Sequence, residues 1–104
     1  MNENYAKGYR FEKVVANKLR GLGYYAVESR GSHGTIDVVG IPNEKNTTGQ
    51  VLMIQCKTNG KISKSDLQTL KDSTKKWSAH WLLADRPGRG KIRFRTLDLE
   101  EVEL

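Results

Sequence analysis

Ile36-Asp37-Val38-Val39-Gly40-Ile41 and Val51-Leu52-Met53-Ile54-Gln55-Cys56-Lys57 are the two stretches that decide the fold. Each is a short apolar run bounded by turn residues, which is the pattern of a strand. Between them lie the nine residues from Pro42 to Gln50, polar in character. That connection is too long for a tight hairpin and too short for a crossover helix. The two strands are therefore expected to be antiparallel neighbours.

Upstream, Tyr5 to Leu22 has no proline and a single internal glycine, Gly8, before Gly21. Phe11, Val15, Leu19 and Leu22 recur at helical spacing, with Val14 and Ala16 beside them, while Lys7, Arg10, Lys13, Lys18 and Arg20 fill the polar side. Gly21 and Gly23 end this helix. Tyr24 to Ser29 is aromatic and β-branched enough for a strand. Downstream, a second helix is expected to start near Ser63 to Ser65, where Ser65 and Gln68 form a capping-box pattern. Leu67, Leu70, Thr74 and Trp77 give it an apolar stripe. His80 to Ala84 reads as a buried strand, Arg86 to Gly90 as a turn, and Lys91 to Thr96 as a half-exposed strand. The tail from Leu97 is expected to be a short helix. The chain is thus an α/β domain of order α-β-β-β-α-β-β, a mixed central β-sheet flanked by helices.

The chain has 104 residues, one domain's worth, from 1 to 104, and its mean hydropathy of −0.65 describes a polar domain with a small core. The net charge is +6, but Asp98, Glu100, Glu101 and Glu103 crowd the end; residues 1 to 97 carry all 18 bases against 8 acids, a net +10. Such a surface attracts a polyanion, with nucleic acid the usual partner and an anionic membrane or acidic protein the alternatives. No apolar run is long enough to span a membrane and the N-terminus lacks a secretory core, so a reducing, cytoplasmic setting is expected. Cys56 is the one cysteine, and His33 and His80 lie far apart, which excludes an intramolecular disulfide and argues against structural zinc.

Three polar residues stand where a core would not put them. Asp37 interrupts an apolar strand. Gln55 and Lys57 end another and, by strand alternation, share one face, with Cys56 on the opposite one. If the strands pair, Asp37 lies beside them. Glu12 borders the buried face of the first helix. An acid with oxygen-donor neighbours suits Mg²⁺, which is hard and keeps several waters. A lysine beside such a site can orient or deprotonate a water, or stabilise charge on a phosphate in transfer. Taken singly, each has a plainer reading. Asp37 is an edge or turn residue, Lys57 a solvated tail, and Glu12 a partner of Lys13, Lys18 or Arg20. Trp77 and Trp81 read as core or dimer interface, Lys71, Lys75 and Lys76 as solvated, and His33 as a bystander.

Glu12, then Ser29-Arg30-Gly31-Ser32, then Ile36-Asp37-Val38-Val39, then Ile54-Gln55-Cys56-Lys57 resembles the restriction-endonuclease-like nuclease superfamily. Its signature is an Asp on one strand and Glu-x-Lys or Gln-x-Lys on the next, preceded by a helical Glu. Within it the chain looks most like the archaeal-type Holliday junction resolvases, over roughly Lys7 to Ala84. The resemblance implies an αβββαβ core and a metal-dependent DNA endonuclease using Mg²⁺, with Mn²⁺ as a substitute. It implies that Asp37 is the principal metal ligand, Gln55 the second, Glu12 a support, and the Cys56 carbonyl a further donor. Lys57 would be the catalytic lysine and Ser32 would lie near the scissile phosphate.

The resemblance also implies DNA contacts by Arg10, Arg30 and Ser32, and Lys61 joins them as a candidate. Arg86, Arg89, Lys91, Arg93 and Arg95 cluster around a turn and strand, read either as a phosphate-contacting stripe, with Arg89 and Arg93 as the leading contacts, or as a solvated face. Resolvases carry Glu where this chain has Gln55. Glutamine marks other branches, among them Mrr-like restriction enzymes, and Lys57 to Ser63 with Gln68 resembles VRR-type nuclease modules. The implied partner is branched DNA, four-way junctions above all. The chain would act as a homodimer, because two cuts need two sites. A non-catalytic DNA-binding module on the same fold is the reading from another class.

Overall fold

A computed structural model describes residues 3–29, 36–43 and 49–104. The elements run α1 (Glu3–Gly21), β1 (Tyr25–Glu28), β2 (Val38–Ile41), β3 (Leu52–Lys57), α2 (Lys64–Ser73), β4 (His80–Asp85), β5 (Arg93–Arg95) and β6 (Glu101–Val102). The six strands form one mixed sheet in the order β1-β2-β3-β4-β5-β6. Among the described residues only β3 and β4 pair in parallel, and α2 makes the crossover between them. The expected antiparallel pairing of β2 with β3 is present, with Val38 opposite Ile54 and Gly40 opposite Leu52.

Strand alternation divides the core into two layers. Leu52 and Ile54 of β3, Val38 of β2, and Leu82 and Ala84 of β4 meet Phe11, Val15, Ala16 and Leu19 of α1. On the other face, Leu67 and Leu70 of α2 pack with Met53, Trp81 and Leu83. The apolar stripe read for α1 is thus its buried side. At its end Gly23 takes φ 100°, the Gly23 amide donates to the Arg20 carbonyl, and the Tyr24 amide to the Leu19 carbonyl. This Schellman closure satisfies carbonyls that the helix would leave open. Gly40 lets α1 approach the sheet: a Cβ there would stand 3.0 Å from Leu19 Cδ1 and 3.4 Å from Leu52 Cβ.

Three local expectations are corrected. The N-cap of α2 is Ser63, whose hydroxyl accepts from the Asp66 amide, so the cap lies two residues before Ser65. Gln68 instead donates to Asp72 one turn on. Trp77 lies beyond the helix and is 56% exposed, whereas Trp81 is core. The acidic tail is no helix but the edge strand β6, antiparallel to β5. The Thr96 hydroxyl accepts from the Asp98 and Glu100 amides, and Leu99 sits at φ 66°. A hydroxyl competing for backbone amides favours a turn over a first helical turn.

Candidate active site

The site gathers at one end of the sheet, where β2 starts and where β1, β3 and β4 finish. Asp37 does not lie inside β2 but in the bend before it. Its amide donates to the Ile54 carbonyl at 2.8 Å and its carbonyl accepts from the Ser29 amide at 2.9 Å. Both neighbouring strands therefore hold its backbone. Its Oδ2 accepts a 2.8 Å hydrogen bond from the Cys56 amide. A strand residue would spend that amide on a neighbouring carbonyl; here it is spent on a carboxylate.

Glu12 reaches this point from α1 and sets its carboxyl beside that of Asp37. Burial holds the Asp37 carboxyl above the ordinary carboxylate range; the Cys56 amide, the Lys57 charge and the Glu12 side chain each offset part of this. Two adjoining carboxyls favour a shared proton or a cation between them. Gln55 presents a buried Oε1 with no hydrogen-bond partner among the described residues. A buried amide oxygen left in this state is rare, and an ion or water is its usual partner. Lys57 lies on the same strand face as Gln55, and its Nζ is 3.5 Å from Oδ2 of Asp66 on α2.

Among the described residues no three His, Cys, Asp or Glu side chains form a metal cage by themselves. The donors here are of a wider kind: two carboxyls, an amide oxygen and the Cys56 backbone. All are hard oxygens, and Mg²⁺ needs only one or two carboxylates because it keeps its waters. The donor set fits that ion.

The Cys56 side chain packs into the α1 layer, on the opposite face from Gln55 and Lys57. Burial, and then Asp37, Glu12 and Glu28, push its thiol well above the ordinary range, which leaves it protonated and unreactive. Glu28, at the end of β1, is an acid of this site that pattern reading passed over. The signal was its place at a strand end, opposite Val38 and so beside Asp37.

A second omission is Asp85, 1% exposed at the end of β4 and register partner of Lys57. It accepts from Arg93 Nε at 2.9 Å, from Arg93 Nη2 at 2.6 Å and from Arg95 Nη2 at 3.0 Å. The expected basic face of the last strands exists, but two of its members are engaged within the chain. Arg93, read above as a DNA contact, has its guanidinium on Asp85, which raises its pKa further. Arg10, Lys61 and Arg89 are exposed. Arg30 and Ser32 lie outside the described residues.

The restriction endonuclease family matches residues 4–82, which span α1 through the Asp37, Gln55 and Lys57 positions into β4. No curated protein matches the chain significantly. Among solved structures, the Holliday junction resolvase Hjc of the archaeal hyperthermophile Archaeoglobus fulgidus shares the fold. The TM-score is 0.70 at 21% identity, over 88% of this chain and 74% of that one. Among the described residues no helix is long and apolar enough to cross a membrane. The match covers most of the chain and includes Glu12, Asp37, Gln55 and Lys57, and by it the chain belongs to the restriction endonuclease family.

Proposed function

We propose that the protein is a divalent-metal-dependent endodeoxyribonuclease that cuts branched DNA, four-way junctions first, as a homodimer. The observation that carries this reading is the adjoining pair of carboxyls, Asp37 and Glu12, at the end of β3, the strand whose Gln55 has a buried amide oxygen without a hydrogen-bond partner among the described residues. Asp37, Gln55 and Glu12, with the Cys56 backbone, would hold Mg²⁺, and Mn²⁺ in its place. A bound ion of this kind neutralises phosphate charge and supplies a water of lowered pKa.

The chain's own residues do the rest. The Cys56 amide fixes the Asp37 carboxylate in one orientation. Asp66 holds the Lys57 ammonium at the mouth of the site, where it can orient the attacking water or stabilise charge on the phosphate. The net +10 of residues 1 to 97 draws DNA in, and affinity falls steeply with salt. A junction needs two symmetric cuts, which a two-fold pair of chains provides.

The test is cleavage of four-way junction, flap and linear duplex DNA with Mg²⁺. Asp37→Asn, or chelation by EDTA, abolishes cleavage while binding persists; full activity under either condition overturns the metal assignment. Gln55, a neutral residue where resolvases have Glu, favours a second reading, a restriction-type or VRR-type enzyme. Linear duplex cut as fast as the junction would select it. Binding without cleavage of any substrate would select a non-catalytic DNA-binding module.

A further inference from the structure

Five bases lie between residues 86 and 95, and the fold treats them unequally. Asp85 engages Arg93 through both carboxylate oxygens, and Arg95 through Oδ2. Arg95 also donates to the Gly60 carbonyl at 3.1 Å. These guanidiniums brace β4, β5 and the loop after β3. Arg86 is different. Asp85 points to the α2 side, so its neighbour turns to the α1 side, and its guanidinium carbon stands 5.1 Å from the centre of the Phe11 ring.

That contact fixes Arg86 in a useful place. Phe11 is 1% exposed and immediately precedes Glu12, whose carboxyl meets Asp37. Arg86 also follows Asp85, the register partner of Lys57. It therefore stands at the site's end of the sheet, reached from both the α1 and the β4 sides. The ring face attracts the guanidinium and biases the side chain toward this seat. It uses the guanidinium's face and leaves the edge donors for an anion. Among the described residues no acceptor takes those donors, while Arg86 is exposed. The site itself is rich in acid, with Glu12, Glu28 and Asp37 together, and the Lys57 ammonium is held by Asp66. A DNA backbone approaching these carboxyls meets repulsion that a fixed cation beside them offsets.

We infer that Arg86, seated on Phe11, is a substrate-binding residue that grips a DNA phosphate next to the one being cut. This rests on the nuclease reading and adds a residue to it. The proposal separates Arg86 from the strand bases: Arg86 binds DNA, Arg93 and Arg95 bind Asp85.

The experiment measures binding of a fluorescent four-way junction against salt concentration, in Asp37→Asn protein so that nothing is cut. Arg86→Ala lowers the slope of log affinity against log salt by about 0.9, one phosphate contact. Arg86→Lys keeps most of the slope, since it retains the charge, but binds more weakly because the bidentate donor pair is gone. Lys75→Ala, at an exposed base in the turn after α2, leaves the slope unchanged. In otherwise wild-type protein, Arg86→Ala raises KM and spares kcat. Circular dichroism melts verify that each variant is folded, and Arg86→Lys keeps the side-chain stem over Phe11 if Arg86→Ala is not. An unchanged slope and KM in the folded variants overturns the inference, as does an equal slope change for Lys75→Ala, which would reduce it to net charge. If the parent neither binds nor cuts DNA, the nuclease reading fails instead, so the two failures are distinct.

Discussion

Replacing Asp85 by Asn removes one buried charge from between two arginines while leaving the shape of the side chain almost unchanged. The carboxylate is 1% exposed and accepts three charge-assisted hydrogen bonds. It also seats the loop after β3: Gly60, at φ 72°, comes so close that a Cβ there would stand 3.1 Å from Oδ2. Losing one member of a buried ion pair costs about 3–5 kcal/mol, because the survivor's charge stays desolvated. The Arg93 and Arg95 side chains keep 27% and 15% exposure, so water relieves part of this. We therefore expect about 3 kcal/mol, a large share of the roughly 5–15 kcal/mol typical of a domain. For a domain of this size that lowers Tm by roughly 12–24 °C. In urea it moves the midpoint by roughly 1–3 M at unchanged slope. Arg95→Met, which leaves Asp85 its Arg93 fork, falls short of this loss. A loss below about 1 kcal/mol for Asp85→Asn would refute the reasoning, since the arginines would then be as comfortable in solvent as on the carboxylate.

Three further outcomes follow from the same geometry. Gly40→Ala forces a Cβ against Leu19 and Leu52 and costs about 1–3 kcal/mol by overpacking, read as a lower urea midpoint. Asp37→Asn raises stability at neutral pH: burial lifts the native carboxyl above its unfolded value, so the parent loses stability as pH rises through that window and the variant does not. The Tm difference between variant and parent therefore opens from acid to neutral pH, and added Mg²⁺ narrows it by stabilising the parent alone; a gap independent of pH would contradict this. Gln55→Glu keeps or raises cleavage at limiting Mg²⁺, whereas Glu12→Gln loses it, and Lys57→Ala lowers the rate more than the metal affinity. An inactive Gln55→Glu beside an unaffected Glu12→Gln would assign Gln55 a specific amide role and Glu12 a structural one.

Much of this molecule is written in local pattern. The period of Phe11, Val15 and Leu19 fixes α1, and the short apolar runs fix β2 and β3, because helix and strand repeat differently and only one repeat buries each set. The length of the connection between those runs is enough to make them antiparallel, and alternation puts Gln55 and Lys57 on one face. What the chain could not disclose locally is where distant residues meet. Asp37 reads as an interruption of a strand, yet it is the bend before one, because its carboxylate takes the Cys56 amide across the sheet. Ser63 rather than Ser65 caps α2, a choice made by where Leu67 and Leu70 must point to reach the sheet. The tail pairs with β5 because that strand has an open edge, which no property of an acidic segment reveals. Asp85 looks like the end of an apolar run, and Arg93 and Arg95 read either as a phosphate-contacting stripe or as a solvated face. Only the register of β4 on β5 joins them, since long-range charge pairing depends on which strands are neighbours and the sequence carries no local trace of that.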